Sequence, residues 1–432
     1  MTSPASGSGS GTDVGTGPGA GAGAGAAGIV RDHVTAAGYV VLGTWAWFLY
    51  GFGAILPLLR AEEGISHSVL GLHSLALASG GLVSGILAVP LVRRVRRRGC
   101  FAIGAGLVCA GVGLLSALHA PALTILAAGV TGIGGSMLVN TAVPALSDHH
   151  GGGGGAAAIC EGNAFAAGIG LLAPTAVGAS VGLGWSWRPA ALLVVPLAAA
   201  LLLLVRRIPL GTPAVDGAAG DRTAAGDGAL PALARILLLM VVLCVGIEFC
   251  CTAWSADLLR QRTGVSQGVA SGGVTAVVAG MAVGRLIVGR LALRHSSRRL
   301  LLGALALTAV GWVITWVPTQ PVVVIAGLAV IGLGIAAHYP LGAALLYAAA
   351  PGQADRVTGR MSLGIAVAAG GAPFALGAVA DATSTHTAFL AVPLLVAAAS
   401  AALAGVIMTG RSATAALGRP GNPDSGSGPV PG

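Results

Sequence analysis

Apolar stretches of about 17 to 25 residues, the length that crosses a bilayer as a helix, follow one another along most of this chain. They lie near 37–59, 69–92, 100–118, 121–146, 156–182 and 189–205, and again near 236–256, 268–293, 299–317, 320–349, 361–380 and 387–409. Short polar breaks separate them, and the pattern predicts an all-α polytopic membrane protein with twelve transmembrane helices in two six-helix bundles. The break at 206–235 is longer and runs through Arg206, Arg207, Pro209, Asp216, Asp221, Arg222 and Asp227, so it reads as a linker. The expected organisation is a disordered cytoplasmic tail over 1–35, a bundle over 36–205, a cytoplasmic linker over 206–235, a second bundle over 236–409 and a second tail over 410–432.

The two sets of six spans carry a repeated pattern. Gly81-x-x-x-Gly85 and Ala173-Pro174-x-x-x-Gly178 return as Gly280-x-x-x-Gly284 and Ala372-Pro373-x-x-x-Gly377, all displaced by 199. A common offset across segments so far apart implies halves of the same element order and similar element lengths. Two parallel repeats of this kind place a ligand site near the bilayer midplane, at the interface between the halves.

Composition agrees with the pattern: 55% of residues are hydrophobic and 9% charged, against roughly 25% charged in soluble domains. The formal net charge of +9 first looks like a polyanion binder's, but all 23 basic residues are Arg and their placement follows the spans. Seventeen fall on the side of the termini, among them Arg31, Arg93, Arg94, Arg96, Arg97, Arg98, Arg294, Arg298, Arg299, Arg356 and Arg360. Arg60, Arg188, Arg260 and Arg262 fall on the other side, and Arg285 and Arg290 within span 8. The bias places both termini in the cytoplasm, with the chain a multi-pass protein of the cell membrane and no nucleic-acid partner. The six Cys lie in or at the edges of apolar spans, without the spacing of a disulfide framework or a zinc site, and read as packing residues. The first 30 residues lack a basic region before an apolar core, so a signal peptide is not expected.

Residues 37–409 resemble the major facilitator superfamily. The resemblance is carried first by Gly284-Arg285-Leu286-x-x-Gly289-Arg290-Leu291-Ala292-x-Arg294 followed by Arg298-Arg299, similar to that superfamily's loop signature, with Leu293 where its Asp stands. The first-half copy retains Gly85, Pro90 and the arginines from Arg93 to Arg98, without an acid. The resemblance implies gating loops at Gly85, Arg93, Arg97, Arg98, Gly284, Gly289, Arg290 and Arg294. Asp148 and Glu161 are the candidates to supply the missing carboxylate. Gly170-x-x-Ala173-Pro174-x-x-x-Gly178 is similar to a proline-glycine motif of exporters, which gives a lean to export, although ordinary close packing and bending by Gly170, Pro174, Gly178, Pro373 and Gly377 explain the same residues.

Acidic side chains inside the spans narrow the chemistry, because a charge at mid-bilayer costs about 3 kcal/mol or more. Glu248 is about 18 Å into span 7, where a carboxyl favours its neutral form and suits a proton carrier. Glu161, roughly 8 Å into span 5, either pairs with an Arg of the 2–3 loop or contributes to coupling. His338 in span 10 is a third titratable candidate, with packing as its alternative. Trp45, Tyr50, Asn140, Asn163, Trp254 and Arg285 are candidate cavity residues; an interfacial belt explains Trp254 equally well.

Enzyme motifs fail on context. Gly168-x-Gly170-x-x-Ala173 and Gly332-x-Gly334-x-x-Ala337 match a dinucleotide fingerprint by letters but lie within apolar helices. The chain has no Lys, so a phosphate-loop lysine is impossible. The expectation is a non-enzymatic secondary transporter without cofactor or metal, acting as a monomer in the lipid bilayer. It would move a small organic solute by alternating access with the proton as coupling ion; a sensor or scaffold without flux is the alternative.

Overall fold

The computed structural model describes residues 31–150, 152–207, 230–292, 294–351 and 353–417. Most of both expected tails, most of the expected linker, and Leu293 lie outside the described residues. Among the described residues there is no strand, and twelve helices are long and apolar enough to cross a membrane. They are α1 His33–Glu63, α2 His67–Leu87, α3 Pro90–Ala117, α4 Pro121–His150, α5 Glu161–Gly182, α6 Arg188–Arg206, α7 Ala232–Thr263, α8 Gln267–Leu291, α9 Ser297–Trp316, α10 Pro321–Ala348, α11 Arg356–Ala382 and α12 Thr385–Val406.

Two details differ from the expectation. The arginine run after α2 is not a loop: helix continues from His67 to Ala117 and is broken only at Arg96, where φ is 58° and ψ 173°. Helix α7 also runs past residue 256 to Thr263, which brings Asp257 inside it, 2% exposed.

Packing repeats with the elements. α1 packs on α5 as α7 packs on α11, and α4 receives α2 and α3 as α10 receives α8 and α9. Across the halves α2 meets α11, α5 meets α8, and α1 meets α7. The register of this repeat is 200 through the first part of each half. Helix α1 ends at Gly64, φ 64°, whose N–H reaches the Arg60 carbonyl, and α7 ends at Gly264, φ 68°, on Arg260. Both positions are left-handed C-caps, the conformation that glycine adopts without a Cβ clash. Ser66 and Ser266 then cap the next helices by accepting from the N–H of Val69 and Val269. Any side chain at Gly132 would strike the Leu77 carbonyl, and any at Gly332 the Val277 carbonyl. By the same contacts Gly80 corresponds to Gly280, and in that register Ser84 to Gly284, so the Gly81 and Gly85 pairing at 199 is one residue out; 199 applies to the proline motifs of α5 and α11.

Candidate functional site

A cavity of about 650 Å³ lies between the halves. Trp45, Leu49, Phe52 and Leu56 of α1 line it, with Ser74, Gly81, Gly85 and Ile86 of α2 and Asn140 of α4. The second half contributes Phe249 and Thr252 of α7, Tyr339 of α10, and Ser362, Leu363 and Ile365 of α11. A second lobe of about 260 Å³ shares Trp45, Leu49, Ser136, Val139 and Asn140, and adds Tyr50, Asn163 and Arg285. The Trp45 ring can lie flat against α4 because residue 135 is glycine; a Cβ there would collide with it. Tyr50 similarly occupies the space a side chain at Gly170 would take. Asn140 Nδ2 reaches Ser84 Oγ at 3.4 Å, tying α4 to α2 at the cavity wall, and Asn163 donates to the Ile159 carbonyl at 3.0 Å.

Glu248 stands midway along α7, partly buried. Arg285 and Tyr50 lie within electrostatic reach of its carboxyl, from α8 and α1, and Arg285 is close enough to Tyr50 to interact with the phenol. Glu248 and Arg285 form no direct ion pair among the described residues. Tyr339 also senses Glu248 from α10. Three of the sequence-derived candidates, Glu248, Arg285 and Tyr50, are therefore brought together from both halves.

The cavity is shut toward the face opposite the termini by polar groups crossing between the halves. Arg60 reaches Asp257 at 3.5 Å. Asp257 accepts from Thr385 at 2.6 Å and from Gln261 at 2.8 Å, with His67 at 3.6 Å. Asp381 of α11 accepts the backbone N–H groups of His67 and Ser68 at 2.6 and 2.7 Å, and lies 2.9 Å from His67 Nδ1. An acid from the second half thus caps the exposed N–H groups at the start of α2, where the helix dipole also favours negative charge. Main chains touch nearby, because a Cβ at Gly53 would strike the Thr252 carbonyl and one at Gly377 the His67 carbonyl. Toward the terminal face the lining residues Ile86 and Leu363 are 77% and 55% exposed, and the cavity opens there.

Other expectations are redirected. Trp254 lines neither lobe and is no interfacial belt residue: it is 1% exposed, its indole N–H donates to the Pro373 carbonyl at 3.1 Å, and its ring lies against His67. His338 is sealed between α9 and α10, with Nε2 3.2 Å from Thr308 Oγ1, and lines neither lobe. Glu161 sits at the terminal end of α5 and pairs with Arg31 through both oxygens, at 2.9 and 3.1 Å, not with the arginines after α2. Those arginines do find a carboxylate in Asp148, which pairs with Arg97. Both pairs stay inside the first half. Asp32 also ties α1 to α4, 2.7 Å from His149. Partial burial pushes its carboxyl up, but hydrogen bonds from the Thr35 backbone and hydroxyl and from His149 outweigh this and hold it below the ordinary carboxylate range.

Arg93, Arg98, Arg290 and Arg294 are exposed on the terminal face, Gly284 packs on the Leu333 carbonyl, and Gly85 and Gly289 border open space. Gly178 beside Pro174 presses on the Gly268 carbonyl of α8, as Gly377 beside Pro373 presses on α2. Both copies of the proline motif bring the halves together. Among the described residues no His, Cys, Asp and Glu cluster suited to a metal occurs, and Cys100, Cys109, Cys244, Cys250 and Cys251 are free. The crossing residues Arg60, His67, Asp257, Gln261, Asp381 and Thr385 were not anticipated. Asp257, three residues before Arg260 at the turn that repeats the one after Arg60, was the available signal.

Residues 236–424 match the family model of the Major Facilitator Superfamily. No curated protein matches the chain. Among solved structures, a point variant of the nucleoside transporter NupG has a TM-score of 0.70 at 11% identity, covering 87% of this chain and 98% of that one. The peptide transporter POT in complex with sulfate gives 0.70 at 14% identity, covering 88% and 94%. A bacterial homolog of the human lysosomal transporter Spinster, inward-facing and unoccupied, gives 0.61 at 15% identity, covering 89% and 96%.

Proposed function

We propose that the chain is a member of the Major Facilitator Superfamily, whose family model residues 236–424 match and whose transporter fold both halves share, and that it is a secondary active transporter moving a small organic solute by alternating access, coupled to protons through Glu248. The observation that carries this reading is the cavity between the halves, shut on one face by side chains that cross from half to half and open on the other. Such an arrangement exposes a central site to one side at a time once the halves rock about it. With the termini assigned to the cytoplasm on the Arg bias, the conformation faces inward. Glu248 lines neither lobe itself, but it stands at mid-helix next to the lining residue Phe249 and within electrostatic reach of Arg285 of the smaller lobe, where gaining and losing a proton changes the local charge most. The lining is mostly apolar and aromatic, which suits an amphipathic solute over a multiply charged one. The proline-glycine motif no longer argues for export, since its copy at Pro373 makes the same kind of close contact as the one at Pro174.

The test is reconstitution into liposomes with an imposed pH gradient and an entrapped pH dye, using a panel of amphipathic solutes. Solute-dependent proton movement is expected for the native chain. Glu248→Gln should abolish it while the protein still inserts and melts cooperatively. Undiminished coupled flux in that variant removes Glu248 from the coupling role, and a chain that moves no solute in any arm is a sensor or scaffold instead.

A further inference from the structure

The two lobes differ in chemistry. Within the residues lining both, Arg285 is the single charged side chain, and it lies in the smaller lobe with Tyr50, Asn140 and Asn163. The larger lobe is walled by Phe52, Phe249, Leu363 and Ile365, with scattered hydroxyls. One cation with hydrogen-bonding neighbours at the end of an apolar chamber is complementary to an amphipathic monoanion. Its head would pair with the guanidinium, whose planar donors match a carboxylate, and its apolar body would fill the larger lobe.

We propose that the cavity selects an organic monoanion of this shape, the carboxylate seated on Arg285, and that Glu248 competes with it. The proposal rests on the transporter reading and names the substrate class of the same site. The titratable and charged groups within electrostatic reach of Glu248 are Arg285 of α8, Tyr50 of α1, Tyr339 of α10, and Cys244 and Cys251 on its own helix, and Arg285 and Tyr50 both line the smaller lobe. Arg285 is the one cation among them. When Glu248 is ionised, its field offsets that of Arg285 and a solute carboxylate gains little. When Glu248 carries a proton, the offset disappears and the anion binds. Proton and anion therefore favour each other's binding, and by linkage the effect is reciprocal.

Equilibrium binding to the detergent-solubilised chain tests this without any need for flux, so that it fails separately from the transport reading. The probes are 4-phenylbutyrate, 4-phenylbutanol and 4-phenylbutylamine, which share one apolar body and differ in head charge, measured by calorimetry. The acid is expected to bind about tenfold or more tightly than the alcohol, and the amine most weakly. Arg285→Gln should bring the acid down to the alcohol's affinity and Arg285→Lys should restore part of the preference, with cooperative melting as the control for folding. In the native chain acid binding should weaken as pH rises through the range in which Glu248 loses its proton, measured above about pH 5, where phenylbutyrate itself is mostly ionised. Glu248→Gln should hold the tighter state throughout. Absence of an acid preference, including no binding by any of the three probes, or a preference that survives Arg285→Gln, overturns the proposal. A pH dependence unchanged in Glu248→Gln overturns the competition.

Discussion

At the turn leaving α1 the chain places Arg60, Gly64, Ser66 and Val69, and at the turn leaving α7 it places Arg260, Gly264, Ser266 and Val269, with the same two caps. In the same register Phe48 stands opposite Glu248, Pro57 opposite Asp257, and Gly85 opposite Arg285. The halves agree where a helix must start, stop or approach another, and differ where a charge stands inside the membrane. Backbone caps and close helix contacts are requirements of the fold, so a repeat retains them in both copies. A buried charge is costly in each copy, so one is enough when the site lies between the halves and both can reach it. The first half then supplies shape and hydrogen bonds through Trp45, Tyr50, Asn140 and Asn163, while the second supplies Glu248 and Arg285.

The division can be broken most strongly at the closed face. Asp257 is nearly buried and serves Arg60, Gln261 and Thr385 at once, so Asp257→Ala strands polar partners at a cost of about 3 to 5 kcal/mol to the closed state. A cysteine placed at Ser74, in a background free of other cysteines, should become accessible to a membrane-impermeant thiol reagent from the face opposite the termini. Unchanged labelling would mean that the main-chain contacts at Gly53 and Gly377 suffice for closure. The symmetric part is tested by Gly132→Ala and Gly332→Ala, since each methyl meets a carbonyl of the partner helix. Each should lower stability by about 1 to 3 kcal/mol, and by similar amounts, in denaturant or thermal unfolding. A large difference would break the equivalence of the halves in their packing.

Charges on the terminal face should matter least. Glu161→Gln removes a pair with Arg31 that is open to solvent, and such pairs contribute little; coupled flux and melting should remain as in the native chain. For Asp32 the folded carboxyl lies below its ordinary pKa. Its contribution is therefore present above the ordinary carboxylate range and fades as pH falls through the lower folded value. Comparing melting of the native chain and Asp32→Asn across that range should show a small difference that closes at the acidic end.

The apolar periodicity alone specified twelve helices and two halves, because a bilayer leaves a backbone no other way to satisfy its N–H and C=O groups over such lengths. It also marked Glu248, since a carboxyl thirteen residues into an apolar span has to be explained. Asp148 and Glu161 were both candidates for the carboxylate that the family resemblance implies; Asp148 pairs with Arg97 and Glu161 with Arg31. Asp257 escaped because it follows the last apolar residue of its span by one position, where a sequence window reads it as surface, and only the packing of α7 against α1 and α12 buries it. Trp254 was misplaced and His338 left open between relay and packing for a related reason: composition shows that a side chain lies in the membrane, not toward which neighbour it turns. Whether a polar group faces the cavity, a neighbouring helix or the opposite half depends on helix rotation and on contacts more than a hundred residues apart. Those were decided by the tertiary structure, through close approaches such as Gly53 on Thr252 that bring Asp257 to Arg60 and Asp381 to His67.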